Sequence, residues 1–142
     1  MKTSIANAVW NGNLKEGSGK VHLNSTGYET EYTFASRFEN GKGTNPEELI
    51  GAAHAACFSM AFSNILAGKG YNSIEVNTKA TVVMETGDKG ASITSIHLGT
   101  DARVEGIDTD TFQKLAEDAK NNCPVSKALK ALSISLDARL IK

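Results

Sequence analysis

Alternation of apolar and polar residues dominates the first 38 positions and predicts strands. Val21 and Leu23 alternate with Lys20, His22 and Asn24, while Asn11, Gly12 and Asn13 after Trp10 supply hairpin turn residues. Tyr28, Thr30, Tyr32, Phe34, Ser36 and Phe38 then hold one face, opposite Glu29, Glu31, Thr33, Ala35 and Arg37. This predicts a third strand with Arg37 near its end, pointing away from the aromatic side. After the loop Glu39 to Gly43 the pattern changes, and Thr44 to Ala67 is almost unbroken small and apolar sequence. It predicts a buried central helix. Asn45 serves as cap, Pro46 suits the first position, Glu48 can reach back to the cap, and Gly68 supplies the stop. A helix that is apolar nearly all round is surrounded by protein or lipid. The polar residues His54, Ser59, Ser63 and Asn64, with no positive flank, favour protein.

Ile74, Val76, Thr78, Ala80, Val82 and Met84 keep strict period two, which predicts a half-buried strand. Thr86 to Gly90 turns the chain back. In the following strand the apolar phase moves from Ala91 and Ile93 to Ile96, Leu98, Ala102 and Val104, a slip that predicts a bulge. A second helix, capped by Asp108 or Thr109, runs through Phe112, Leu115, Ala116 and Ala119. It ends by about Asn122, because Pro124 biases Cys123 out of helical geometry. A helical turn from Val125 to Lys130 precedes a last alternating strand, Leu132 to Leu140. The expected order is β-β-β-α-β-β-α-β, an α+β fold in a single domain spanning residues 1–142.

At 142 residues and net charge -1, the chain is large enough to bury a core without staples and carries no electrostatic footprint for nucleic acid or an anionic membrane. The start MKTSIANAVW lacks an apolar signal core, so a cytoplasmic protein is expected. Two cysteines far apart, Cys57 and Cys123, do not form a secreted disulfide framework. In a reducing compartment such a pair is free, catalytic or redox-active rather than structural.

Cys57 lies in the central helix, where a lone cysteine is commonly a small buried hydrophobe. Cys123 sits at a helix boundary beside a proline, and the two thiols could face each other. Glu47, at the helix start, is left free to pair if Glu48 serves the cap, and Arg37 across the glycine-containing loop is its candidate partner. His54 precedes Cys57 by three residues on one helical face. Zinc ligation by His54, Cys57 and Cys123 with His22 or His97 is a weak reading, since only one close ligand pair exists. A satisfied buried histidine is the plainer one. No Walker loop, dinucleotide fingerprint or nucleophile elbow is present.

The segments RFENGKGTNPEELIGAAHAACFSM and NNCPVSKAL, in that order, resemble the OsmC branch of the OsmC/Ohr family of organic hydroperoxide reductases. The resemblance covers essentially the whole chain. It implies an intertwined homodimer with sites at the subunit interface, a peroxidatic cysteine at Cys57, a resolving cysteine at Cys123, and an arginine–glutamate pair at Arg37 and Glu47. It implies no cofactor; an external thiol or dithiol restores both cysteines. In that scheme the guanidinium stabilises a thiolate that an ordinary cysteine, with pKa of about 8.5, would not hold at neutral pH. Apolar surroundings from Phe58, Met60 and Phe62 would suit an alkyl or aryl peroxide better than hydrogen peroxide. Glu47 and Cys57 stand ten positions apart, about 15 Å along a straight helix. Unless the helix breaks, a shared site therefore draws Arg37 and Glu47 from a partner chain. Two other functions remain open: a carrier of small hydrophobic molecules, and a peroxide sensor using the same thiols.

Overall fold

The computed structural model describes all residues, Met1–Lys142, in two compact units, Met1–Leu49 and Ile50–Lys142. In the first, β1 (Ala6–Asn11), β2 (Ser18–Leu23) and β3 (Tyr28–Thr33) form an antiparallel sheet in the order β1-β2-β3, with Ala8 opposite Val21 and Val21 opposite Thr30. Gly19 makes the aromatic packing possible. A Cβ there would lie 2.4 Å from the Val9 carbonyl oxygen and 2.5 Å from the Tyr32 ring. With that space free, the Trp10 and Tyr32 rings meet at 5.2 Å and the Tyr32 hydroxyl donates to the Val9 carbonyl.

The predicted third strand stops early. Residues 34–38 form a short helix, α1 (Phe34–Phe38), because Thr33 and Ser36 close a capping box: Thr33 Oγ1 accepts from Ser36 N–H, and Ser36 Oγ from Thr33 N–H. Arg37 therefore lies in the last turn of a helix rather than on the polar face of a strand.

Helix α2 (Pro46–Gly68) starts as the sequence predicts, with Asn45 Oδ1 accepting from Glu48 N–H at 2.8 Å. The Glu48 carboxylate does not complete the box and takes the Thr44 hydroxyl at 2.7 Å instead. The helix ends in a Schellman arrangement, Tyr71 N–H to Leu66 and Gly70 N–H to Ala67, with Gly70 at φ +85°.

In the second unit, β4 (Ser73–Gly87), β5 (Gly90–Val104) and β6 (Ser133–Leu140) form one sheet. β5 is central, antiparallel to β4 and parallel to β6. The predicted bulge is at Thr94: Val83 pairs with Ser95 and Met84 with Ile93, and Thr94 is skipped. A second irregularity skips Ile74 between Ser73 and Glu75, which turns this residue outward although the alternation had placed it inside. The crossover from β5 to β6 carries α3 (Thr109–Asn122), capped by Asp108 Oδ1, and α4 (Pro124–Ala128).

The core lies between this sheet and the two long helices. Phe58, Phe62 and Leu66 of α2 pack with Ile96, Leu98 and Ala102 of β5 and with Phe112, Leu115, Ala116 and Ala119 of α3. Phe62 is the hinge of an aromatic row, 5.7 Å from Phe58 and 5.4 Å edge-on from Phe112. Helix α2 is long and apolar enough to pass for a membrane span, yet one side of it belongs to this core. Burial follows Gly51, His54, Phe58, Phe62 and Leu66, at three- and four-residue steps. The expected all-round burial is not met within the chain, since Ala52, Ala53, Ala56, Met60 and Asn64 are exposed, Met60 at 75%.

Candidate active site

Two clusters gather the residues singled out by sequence. In the first unit, Arg37 and Glu47 are paired. Arg37 Nη2 donates to Glu47 Oε1 at 2.8 Å and Nε donates at 3.3 Å to both carboxylate oxygens. Local structure makes this pairing. The capping box fixes α1 and aims Arg37, Asn45 Nδ2 ties the start of α2 to the Ser36 carbonyl, and the Ser36 hydroxyl holds the Thr44 carbonyl. Glu47 is 7% exposed, so its carboxylate depends on the guanidinium for its partners. Arg37 also lies 5.3 Å from the centre of the Phe38 ring. It borders a cavity of about 400 Å³ lined by Trp10, Leu14, Tyr32, Phe34 and Pro46. These rings, missed as a group by sequence reasoning, are the ones beside the arginine. Phe58 and Phe62, expected to surround the chemistry, are instead fully buried in the core.

In the second unit, Cys57 on α2 and Cys123 at the junction of α3 and α4 are both free thiols, close enough for each to shift the other's pKa. The physics differs between them. Burial pushes Cys57 above its ordinary pKa; the Val125 backbone opposes this and the Cys123 thiol adds to it. Burial also acts to raise Cys123, but the Ser126 backbone N–H, the Cys57 thiol and the Ser126 side chain outweigh it, and Cys123 is held below its ordinary value. The Pro124 start of α4 makes this possible. Cys123 is its N-cap, and Sγ accepts from Ser126 N–H at 3.4 Å.

His54 adjoins this pair. It is fully buried, with Nε2 2.7 Å from Ser126 Oγ, while Nδ1 has no partner. It is thus only half satisfied, and burial lowers its pKa. His22 and His97 are strand residues beside Glu29 and Asp137, and no three His, Cys, Asp or Glu side chains converge at metal-binding spacing. Ser126 was visible in sequence only as part of CPVS; its role as hub between His54 and Cys123 depends on tertiary packing.

Chemically, a neighbouring dithiol can cycle between two thiols and a disulfide. Peroxiredoxin OsmC of Escherichia coli (strain K12) is 48% identical over 134 residues, covering 94% of this chain and 93% of that protein. Organic hydroperoxide resistance protein-like 1 of Staphylococcus saprophyticus is 28% identical over 126 residues, 87% of this chain and 89% of its own. The fold matches the solved organic hydroperoxide resistance protein OsmC of Legionella pneumophila with TM-score 0.75 at 22% identity, over 99% of this chain and 98% of that one. The family model described as OsmC-like protein matches residues 39–137, and the chain belongs to that family.

Proposed function

We propose that the chain is a thiol-dependent peroxidase of oxidative stress defence that reduces organic hydroperoxides to alcohols. The observation that carries this reading is the neighbouring pair of free thiols, Cys57 and Cys123, in a chain whose relatives include a peroxiredoxin and an organic hydroperoxide resistance protein. The Cys57 thiolate attacks one peroxide oxygen, the O–O bond breaks, and the alkoxide leaves as alcohol after taking a proton. Cys57 is left as a sulfenic acid. Cys123 attacks its sulfur, the S–O bond breaks, water leaves, and a Cys57–Cys123 disulfide forms. An external thiol or dithiol supplies two electrons to restore both cysteines. The reading includes a cytoplasmic setting, where a reducing pool keeps the pair open, and one functional unit over residues 1–142.

Cys57 needs a cation, because burial alone disfavours its thiolate. In this reading the cation is the partner subunit's Arg37, held by the partner subunit's Glu47, in a homodimer with two sites at its interface. Two features support it. Helix α2 runs unbroken from Pro46 to Gly68, so Glu47 and Cys57 are about 15 Å apart along its axis. Its exposed face, Ala52, Ala53, Ala56 and Met60, is small and apolar. The aromatic cavity beside Arg37 favours an alkyl or aryl peroxide over hydrogen peroxide.

The test is consumption of cumene hydroperoxide with dithiothreitol by wild type, Cys57→Ser and Cys123→Ser. Loss of all turnover in Cys57→Ser, with one initial oxidation surviving in Cys123→Ser, is expected. Equal consumption by wild type and Cys57→Ser would remove the mechanism and bring the hydrophobic carrier forward.

A further inference from the structure

His54 is a fully buried imidazole with one nitrogen engaged and the other without a partner. Structural histidines satisfy both nitrogens where they can, so its placement calls for a reason. The reason lies in the single proton that a neutral ring carries. Burial keeps the ring neutral, so only one nitrogen bears N–H. Were it Nδ1, a buried donor would be orphaned. With the proton on Nε2, the donor meets Ser126 Oγ at 2.7 Å and only a bare acceptor is left unpaired, the cheaper of the two arrangements.

That choice fixes the next link. Ser126 Oγ, already accepting from His54, has one proton of its own to donate. Ser126 is 5% exposed, its backbone N–H donates to Cys123 Sγ at 3.4 Å, and its side chain acts to lower that thiol's pKa. We propose that His54 is a positioning residue acting through Ser126: His54 Nε2–H donates to Ser126 Oγ, and Ser126 Oγ–H donates to Cys123 Sγ, readying this sulfur to attack Cys57. The proposal rests on the peroxidase reading for its purpose, although the relay itself does not. In the step it serves, the Cys123 thiolate forms the S–S bond to the Cys57 sulfenic sulfur, the S–O bond breaks, and the departing hydroxide takes a proton to leave as water. Relay and substrate chemistry are separable, because the one hydrogen bond His54 makes is to Ser126 and not to the Cys57 sulfur.

The relay has few competitors. The groups acting on Cys123 are Cys57 from α2 and the backbone and hydroxyl at the start of α4, with no lysine or carboxylate among them. Lys120, in the last turn of α3, is engaged with Glu117.

The experiment uses full-length chains. In a Cys57→Ser background Cys123 is the sole thiol, and the ultraviolet absorbance of its thiolate gives its titration directly. His54→Leu, which fills space but cannot donate, is expected to move that titration upward by about one pH unit, the effect of one lost hydrogen bond to an anion. His54→Gln, whose amide keeps an N–H for Ser126, is expected to leave it in place. Ser126→Ala is expected to match His54→Leu, with no further shift in the double variant. With both cysteines present, His54→Leu should slow disulfide formation about tenfold at neutral pH while the first oxidation of Cys57 keeps its rate. Identical Cys123 titrations in His54→Leu, His54→Gln and Ser126→Ala would overturn the relay. A normal relay titration in a protein that never forms a Cys57 sulfenic acid would overturn the peroxidase reading alone.

Discussion

Cys57 and Cys123 are the same functional group in opposite settings, one pushed up by burial and the other drawn down by the hydrogen bonds of α4. A nucleophile disfavoured by its own surroundings depends on a group that arrives from elsewhere, and Arg37 with its Nε and Nη2 fixed on Glu47 is the candidate. Arg37→Met is expected to lower kcat/KM for cumene hydroperoxide by about 100-fold, the scale seen when one preorganised charge-stabilising donor is removed. Arg37→Lys should recover little of it, because an ammonium cannot span the carboxylate as the guanidinium does. Steady-state kinetics decide both. His54 gives the molecule a pH signature. Its pKa is lowered in the folded chain, so below about 6.5, the ordinary value, the unfolded chain binds a proton that the folded one refuses. Stability therefore rises with pH through this window and is lost as pH falls below it. Urea midpoints at pH 7 and pH 5 should differ more for wild type than for His54→Gln. Asp101 and Asp108, whose pKa values are lowered mainly by Arg139 and Thr111, act in the same direction at more acidic pH.

Helix α1 shows how five residues aim the arginine. Its box joins the Thr33 and Ser36 side chains to each other's backbone N–H groups, and Thr33→Ala should cost about 1 kcal/mol, the usual scale for a lost N-cap. Urea denaturation measures that loss, and kcat/KM should fall with it because Arg37 is no longer fixed. The same stretch explains why the sequence misled at this point. Phe34 and Phe38 are four apart and share a face in a strand as well as in a helix, so their ring contact at 4.8 Å leaves the same periodic mark in either. The Thr94 bulge was legible because a phase slip between Ile93 and Ile96 has no other simple cause. Ile74 was not, since its alternation continues through the irregularity that turns it outward. In the core, Phe62→Ala should cost about 3–5 kcal/mol, also read by urea denaturation, because Phe62 touches both Phe58 and Phe112.

For the whole molecule, the open face of α2 is the feature that a sequence pattern cannot resolve: an apolar residue reads alike whether its own chain or a second copy covers it. The family segments placed Cys57, Cys123, Arg37 and Glu47 in sequence, and the fold adds which of them touch. Cys57 meets Cys123, Arg37 meets Glu47, and Ser126 emerges as a hub because no local spacing links residue 54 to residue 126. Shared sites make a definite prediction. Arg37→Met chains, nearly inactive alone, and Cys57→Ser chains, inactive alone, should regain activity when mixed and re-equilibrated, at about one quarter of wild type, since about half the two-fold dimers pair unlike chains with one intact site each. Activity that stays at the level of the separate chains would place each site within one chain. The most direct test of the central claim is the fate of Cys57 itself. Cys123→Ser is treated with one equivalent of cumene hydroperoxide in the presence of dimedone, and the Cys57 peptide is weighed by mass spectrometry. Near-stoichiometric dimedone adduct on Cys57, replaced in wild type by a Cys57–Cys123 disulfide, is the predicted result; an unmodified Cys57 in both proteins would contradict it.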